Sequence, residues 1–345
     1  MHIKTIAAGL FTTALLSAPA MAQSSITLYG VADLYAQYGK GDRNELSLES
    51  GGYSGSRLGF KGSKVLVDSL TAVFQLEAGI AIDKGVSNQG GRLFGRQAYA
   101  GVSDTWGTLT AGRQYTPEFL GIDNADPMST GVGSAANSGV LSLLVVRADN
   151  SIVYAAPKMG NVSMSAMVSL GEASSGSTAN GNLYAANVEY AAGPLDLNVV
   201  LTSQNRATDA GVNASIALVT GSYDLGSVKL MGGVQGVRKP SRVAGANDDR
   251  NEVFAGVQIP VGKDLIALAG YSSRARNSGS GMTASQVSAE YIHNVTKELL
   301  TYFTVTDIKN GSATNYTTDG ATGSGPAVSA GRKASALQVG FRYKF

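Results

Sequence analysis

Apolar and polar residues alternate along most of this chain, in segments of about ten residues. In residues 337–345 every odd position is apolar or aromatic, whereas the even positions hold Gln338, Gly340, Arg342 and Lys344. Residues 71–77, 162–169 and 195–202 follow the same pattern with few exceptions. Because successive side chains of a strand point to opposite faces, each segment predicts a β-strand whose two faces meet different environments.

Clusters of Gly, Asn, Asp, Ser and Pro separate these segments. They divide the chain into sixteen predicted strands, at about residues 26–38, 54–64, 69–82, 93–103, 107–115, 149–157, 161–171, 183–192, 195–205, 213–224, 227–238, 251–261, 264–275, 283–293, 297–307 and 332–345. Tight turns, such as residues 104–107 and 262–263, alternate with long connections, such as residues 39–53, 84–92 and 309–331. This alternation is typical of outer-membrane barrels, in which tight turns face the periplasm and long loops face outward.

Composition separates a membrane barrel from a soluble β-sandwich, which also alternates but needs a charged outer surface. Only 15% of the 345 residues are charged, compared with about 25% in a typical soluble domain. We therefore predict an all-β fold, a 16-stranded antiparallel transmembrane β-barrel. The absence of Cys excludes disulfides and thiolate chemistry, and a net charge of +2 lacks the basic excess of a nucleic-acid-binding protein.

The first 22 residues have the features of a secretory signal peptide. Lys4 precedes an apolar stretch at residues 6–16, and Ala20-Met21-Ala22 provides an A-x-A cleavage site before Gln23. The apolar stretch is shorter than the roughly 17 residues that a membrane-spanning helix needs. We expect a signal peptide at residues 1–22, which directs export, and a single barrel domain at residues 23–345.

One connection is longer and more apolar than the others, at residues 116–146. It includes Pro117-Glu118-Phe119 and the apolar run at residues 141–146. Long loops in compact folds are usually functional or disordered, and the apolar content argues against disorder. We expect this third external loop to fold into the barrel and pack on the inner wall; the alternative is an exposed surface flap.

Several ordered motifs resemble the general porins of β-proteobacteria, the group with neisserial, bordetellar and comamonad members. They are Ser25-Ile26-Thr27-Leu28-Tyr29-Gly30-Val31-Ala32-Asp33, Ser56-Arg57-Leu58-Gly59-Phe60-Lys61-Gly62, Phe74-Gln75-Leu76-Glu77, Phe94-Gly95-Arg96-Gln97-Ala98-Tyr99, Gly112-Arg113-Gln114-Tyr115, Arg147-Ala148-Asp149-Asn150-Ser151-Ile152-Val153-Tyr154 and the terminal Phe345. The resemblance implies a homotrimeric porin in the Gram-negative outer membrane whose third loop constricts the pore. It also implies that Phe345 is read by the barrel-assembly machinery.

The same resemblance implies a row of wall arginines that faces acidic groups at the constriction. The matching arginines are Arg57, Arg96 and Arg147, and the matching wall carboxylate is Glu77. The candidate loop acids are Asp123 and Asp126, although this loop is poorer in acidic and aromatic residues than the family pattern. Further candidates for pore-lining charges are Lys61, Arg92 and Arg113, which could equally occupy the rim.

These charges predict a water-filled channel for passive diffusion of small hydrophilic solutes and ions, with a preference for anions. The expected partners are those solutes, outer-membrane lipid and lipopolysaccharide. Two alternatives remain open, a substrate-specific channel for anions or organic acids and an adhesin or receptor barrel. No enzyme, cofactor or metal site is expected, because the only histidine after the signal peptide, His293, lies near a periplasmic turn.

Overall fold

A computed structural model describes residues 25–244, 248–277 and 279–345 of the protein. Within these residues, eighteen β segments join in one antiparallel sheet. The predicted signal peptide lies outside the described residues. None of the helices in the described part of the chain is long and apolar enough to span a lipid bilayer.

The segments form sixteen barrel strands, because two of the strands are interrupted. The β segments are β1 (Ser25–Lys40), β2 (Asn44–Ser50), β3 (Arg57–Val67), β4 (Leu70–Ala81), β5 (Val86–Ser87), β6 (Gln97–Asp104), β7 (Gly107–Tyr115), β8 (Arg147–Ala155), β9 (Val162–Ser169), β10 (Leu183–Ala192), β11 (Leu195–Gln204), β12 (Ala214–Asp224), β13 (Lys229–Arg238), β14 (Arg250–Val261), β15 (Asp264–Ala275), β16 (Thr283–Asn294), β17 (Leu299–Asn310) and β18 (Lys333–Lys344). The helices are α1 (Asn88–Gly91), α2 (Pro117–Ala125) and α3 (Ala135–Ser138). β2 and β3 both pair with β1, and β5 and β6 both pair with β4.

The first and last strands close the sheet into a barrel. β1 pairs with β18 in antiparallel register from Val31↔Lys344 to Lys40↔Ser335, so no edge strand remains at the seam. Beyond this register, the amide of Phe345 donates to the Gly30 carbonyl at 3.1 Å. The predicted antiparallel barrel is therefore confirmed.

Alternation along the strands separates a lipid-facing surface from a polar lumen. On β18, Val339 is 55% exposed on the outer face, whereas its neighbour Gln338 is 1% exposed and donates to Gln37 across the seam. On β11, Leu201 is exposed and Thr202 is buried. The apolar face therefore points away from the lumen, the reverse of a soluble barrel.

The first external connection differs from the expectation of a long loop at residues 39–53. β1 continues to Lys40, a turn at residues 41–43 follows, and β2 returns along β1. Leu46 and Leu48 alternate with polar residues here, so the strand signal was present in the sequence. The chain leaves the wall only at residues 51–56, between β2 and β3.

Two external segments fold into the lumen. The third external loop, residues 116–146, packs Ile122 against Val200 and Leu218 of the wall, which confirms the prediction that it folds inward. The last external loop, residues 311–332, also turns inward, and its Thr322 hydroxyl donates to the Ser50 carbonyl at 3.0 Å. The sequence predicts only a long external connection at residues 309–331, not its inward course.

Candidate functional site

The third external loop and the opposing wall enclose a cavity of about 480 Å³ in the lumen, here called the throat. The cavity is lined by arginines of β3, β8 and β18 and of the segment just before β6, by the loop and by the turn at residues 51–56. Its charged lining residues are Arg57, Arg96, Arg147, Arg342 and Asp123. The throat therefore has a strongly basic lining.

Local sequence fixes the start of the loop. Thr116 caps α2, since its hydroxyl oxygen accepts from the Phe119 amide at 3.2 Å, and Pro117 occupies the first helical turn. The same hydroxyl donates to the Val145 carbonyl at 2.7 Å, which ties the outgoing and returning ends of the loop together. The amide of Thr116 also donates to the Val146 carbonyl. The loop thus has a closed neck directly beside Arg147.

The wall holds the far side of the loop through buried polar groups. Glu252 of β14 accepts hydrogen bonds from the amide and the hydroxyl of Ser142, both at 2.7 Å. Gln286 and Ser288 of β16 each donate to the Gly133 carbonyl at 2.7 Å. Because these bonds lie in a buried setting, losing one partner leaves a costly unsatisfied group. The loop therefore forms a fixed side of the throat.

Arg96 and Glu77 form a buried ion pair beside the throat. The Arg96 Nε lies 2.7 Å from the Glu77 Oε1, and the two side chains are 5% and 4% exposed. Glu77 also accepts from the Tyr29 hydroxyl at 2.8 Å, and Arg96 donates to the Tyr115 hydroxyl at 2.6 Å. An ion in the lumen therefore meets nearly compensated charges at this position.

Arg57 and Arg147 lack such a partner. Among the described residues, no carboxylate lies within 4.0 Å of either guanidinium. Arg57 donates only to the Gly55 carbonyl, at 2.9 Å. Arg147 lies 4.3 Å above the Tyr115 ring and donates to the hydroxyl of the same tyrosine. Both side chains carry a full positive charge into the throat, because guanidinium stays protonated in proteins.

The two loop acids occupy different places. Asp123 is exposed in the throat and accepts from the Thr130 hydroxyl. Asp126 is 1% exposed behind the loop, where it accepts from the Tyr271 hydroxyl at 2.6 Å and from the Thr130 amide at 3.0 Å. This burial raises the pKa of the Asp126 carboxyl. The expectation that Asp126 faces the pore is corrected, since it packs the loop against the wall.

The further candidate charges do not line the throat. Arg92 and Arg113 share Asp149, each at 2.7 Å from its Oδ1, and Arg113 also donates to the Gly95 carbonyl. Lys61 lies 5.4 Å from the Tyr29 ring, farther along β3 toward the short-turn end. Phe345 lies at the barrel seam.

Sequence reasoning missed three residues that shape the throat. Arg342 lines it from the last strand, Tyr53 enters it from the turn at residues 51–56, and Tyr115 bridges Arg96 and Arg147. The alternation of β18 placed Arg342 on the polar face, which was the available signal for that residue. The sequence carries no comparable signal for Tyr115 and Tyr53. Tyr115 follows a register shift between β7 and β8, and Tyr53 lies in the turn between β2 and β3. Both features depend on tertiary contacts.

A closed antiparallel barrel with an apolar outer face, a polar lumen and a basic constriction defines a membrane channel for hydrophilic solutes. Comparison with known proteins agrees with this class. The chain matches the Gram-negative porin family over residues 6–313. It is 30% identical to outer membrane porin protein 32 of Delftia acidovorans, over 95% of this chain and 96% of that protein. It is also 36% identical to an outer membrane porin of Bordetella pertussis, over 40% of each chain.

The structural comparison extends to the whole barrel. The anion-selective porin of Comamonas acidovorans superposes with a TM-score of 0.82 at 27% identity, covering 94% of this chain and all of that one. The in-vitro folded OmpT of Vibrio cholerae, at 17% identity and a TM-score of 0.68, shares the fold. The chain belongs to the Gram-negative porin family. It is an outer-membrane channel for passive diffusion of small hydrophilic solutes and ions.

Proposed function

We propose that this porin prefers anions, and that Arg57 and Arg147 are the main source of the preference. The observation that carries the proposal is that both guanidinium groups enter the throat without a carboxylate within 4.0 Å among the described residues. The similar Comamonas protein is itself described as an anion-selective porin, which supports the proposal.

The selectivity follows from fixed charge in a narrow passage. Protein walls of low dielectric focus the field of lining charges, so an anion is stabilised and a cation is destabilised as each crosses the throat. Asp123 opposes this effect with one negative charge, whereas Arg96 and Glu77 largely cancel each other. The lining charge that remains is positive. Because guanidinium does not titrate near neutrality, the preference holds across physiological pH.

Reversal potentials across a KCl gradient in planar bilayers test the proposal. We expect chloride to permeate faster than potassium, and we expect Arg57→Gln and Arg147→Gln each to lower the permeability ratio. Arg332→Gln removes an exposed basic residue from the last external loop and is the matched control, for which the ratio should stay unchanged. Cation selectivity of the wild-type channel would overturn the proposal.

We also propose the assembly and processing that the family resemblance implies. The outward apolar faces of β1 and β18, with Leu28 and Val339 exposed, support a homotrimer embedded in lipid and lipopolysaccharide. The terminal Phe345 would be read by the barrel-assembly machinery, and residues 1–22 would be removed as a signal peptide. Native mass spectrometry should give a trimer, and N-terminal sequencing should begin at Gln23. A monomer or an uncleaved N-terminus would contradict these two assignments.

A further inference from the structure

Arg342 lies in the throat opposite the third external loop, on the last strand of the barrel. Among the described residues, no carboxylate lies within 4.0 Å of its guanidinium. Its Nε is buried and has no hydrogen-bond partner within the part of the chain that the structure describes. We propose that Arg342 is a further selectivity-determining residue of the channel, an inference that rests on the proposed anion preference.

The ring of Tyr53 positions this arginine. The Arg342 guanidinium carbon lies 4.8 Å from the ring centroid, within the range of a cation–π contact. A neutral aromatic ring orients the guanidinium without cancelling its charge. The N–H donors of the two terminal guanidinium nitrogens therefore stay available to an anion in the throat. An ion pair such as Arg96–Glu77 orients an arginine at the cost of its net charge.

The turn at residues 51–56 holds Tyr53 in place. Asp33 of β1 is fully buried, and it accepts from the Gly52 amide at 2.9 Å and from the Ser54 amide at 2.8 Å. The Tyr302 hydroxyl donates to the same carboxylate at 2.7 Å, and the Tyr302 ring lies 5.9 Å from the Tyr53 ring. The amides on both sides of Tyr53 are thus bound to one buried group, which fixes the backbone from which its ring extends toward Arg342.

A glycine makes this arrangement possible. A Cβ atom added to Gly52 would lie 2.1 Å from the Tyr302 hydroxyl oxygen, which is too close for any other residue. The turn that interrupts the strand therefore places Tyr53 beneath Arg342, and the close approach of the Gly52 backbone to Tyr302 allows it to do so. Asp33 and Tyr302 are positioning residues, whereas Arg342 faces the permeating ion directly.

Three unpaired arginines then surround the throat, Arg57, Arg147 and Arg342, with Asp123 as the opposing charge. Arg342 should add more positive charge to the throat than the Arg96–Glu77 pair, although Arg96 matches the expected arginine row and Arg342 does not. The reason is that Glu77 neutralises Arg96, whereas Tyr53 leaves Arg342 charged.

The test compares Arg342→Gln, Arg342→Lys and Tyr53→Phe with the wild-type porin in planar bilayers at about 0.1 M KCl. Arg342→Gln should lower the ratio of chloride to potassium permeability by about threefold to fivefold, as expected for one unit charge near the ion path. Arg342→Lys should restore most of the ratio because it keeps the charge, and Tyr53→Phe should preserve it because it keeps the ring. Arg332→Gln is the control for loss of a basic residue outside the throat.

The two proposals fail in different ways. The sign of the wild-type reversal potential tests the anion preference, whereas the shift caused by Arg342→Gln tests the role of Arg342, whatever the wild-type sign. An unchanged ratio in Arg342→Gln, recorded beside a lowered ratio in Arg57→Gln, would overturn the inference and leave the proposed function standing. Equal ratios for Arg342→Gln and Arg342→Lys would also overturn it, since charge would then have no part. Each recorded channel is an inserted barrel, so a folding defect cannot imitate either result.

Discussion

The buried pair of Arg96 and Glu77 gives a prediction that the number of arginines in the throat alone would not give. Because Glu77 lies 2.7 Å from Arg96, the pair adds almost no net charge to the throat. Glu77→Gln keeps the size and the acceptor oxygen of the side chain but removes its negative charge. We expect the variant to be more anion-selective than the wild-type channel, although no residue that contacts the permeating ion has been changed.

The size of the effect follows from one unit of charge at the edge of the throat. A unit charge about 4 Å from an ion contributes about 1 kcal/mol in water and more at lower effective dielectric. Such a change favours chloride about fivefold and disfavours potassium by a similar factor. Salt at about 0.1 M screens over about 10 Å, which reduces these values. An increase of about threefold to tenfold in the permeability ratio is a reasonable range.

Reversal potentials of four channels test whether the charge of Glu77 offsets the charge of Arg96. The channels are the wild type, Glu77→Gln, Arg96→Gln and the double variant. The single variants should move the ratio in opposite directions, because each leaves its partner's charge uncompensated. The double variant should return close to the wild-type ratio. If the double variant has the same ratio as Arg96→Gln alone, the charge of Glu77 does not offset that of Arg96, and the reasoning from the ion pair is refuted.

Other parts of the structure give further predictions. Screening predicts that the permeability ratio approaches one between about 0.1 M and 1 M KCl, and a salt-independent ratio would point to a non-electrostatic filter. Burial raises the pKa of Glu118 to about 8, above its ordinary 4.5, so the docked loop retains a proton that an undocked loop releases. Docking should therefore be strongest below pH 4.5 and weaken up to pH 8, as measured by proteolysis of the loop, and Glu118→Gln should reduce this dependence. Glu252→Leu removes the acceptor of the two Ser142 hydrogen bonds and should increase open-channel noise, whereas quiet channels would show that the loop is held elsewhere. Deleting Phe345 removes its hydrogen bonds to Gly30 and should reduce the heat-modifiable folded fraction, which Phe345→Tyr should retain.

The barrel was predictable from the sequence because its signal is local. Each strand carries its own alternation, and most short turns carry their own glycine, proline or asparagine, so neither depends on distant contacts. Residues 39–53 are the exception, because the alternation around Leu46 and Leu48 is short and lies directly beside Gly51 and Gly52, which are typical of a loop. The inward course of residues 311–332 had no local signal, since small polar residues suit either an external loop or a lumenal one.

The charges of the throat were harder to predict, because their effect depends on what each side chain meets across the lumen. Arg57, Arg96 and Arg147 look equivalent in the sequence, yet the structure pairs Arg96 with a carboxylate and leaves the other two unpaired. Asp126 looks like a lining acid, but its position at the end of α2 turns it behind the loop. Such differences are set by tertiary contacts. The periodicity of a sequence shows the face on which a residue lies, but not its partner across the lumen.

Hydrogen bonds near the seam, one of which supports the turn that holds Tyr53, join the two ends of the chain. Tyr302 donates to Asp33 across 269 positions, and Gln338 donates to Gln37 across 301. Contacts of such high sequence separation form late in folding, because the intervening chain must be ordered before the ends meet. The turn at residues 51–56 is synthesised early but gains its support only when the last strands arrive. The part of the charge filter formed by Tyr53 and Arg342 is therefore completed only when the seam between β1 and β18 closes.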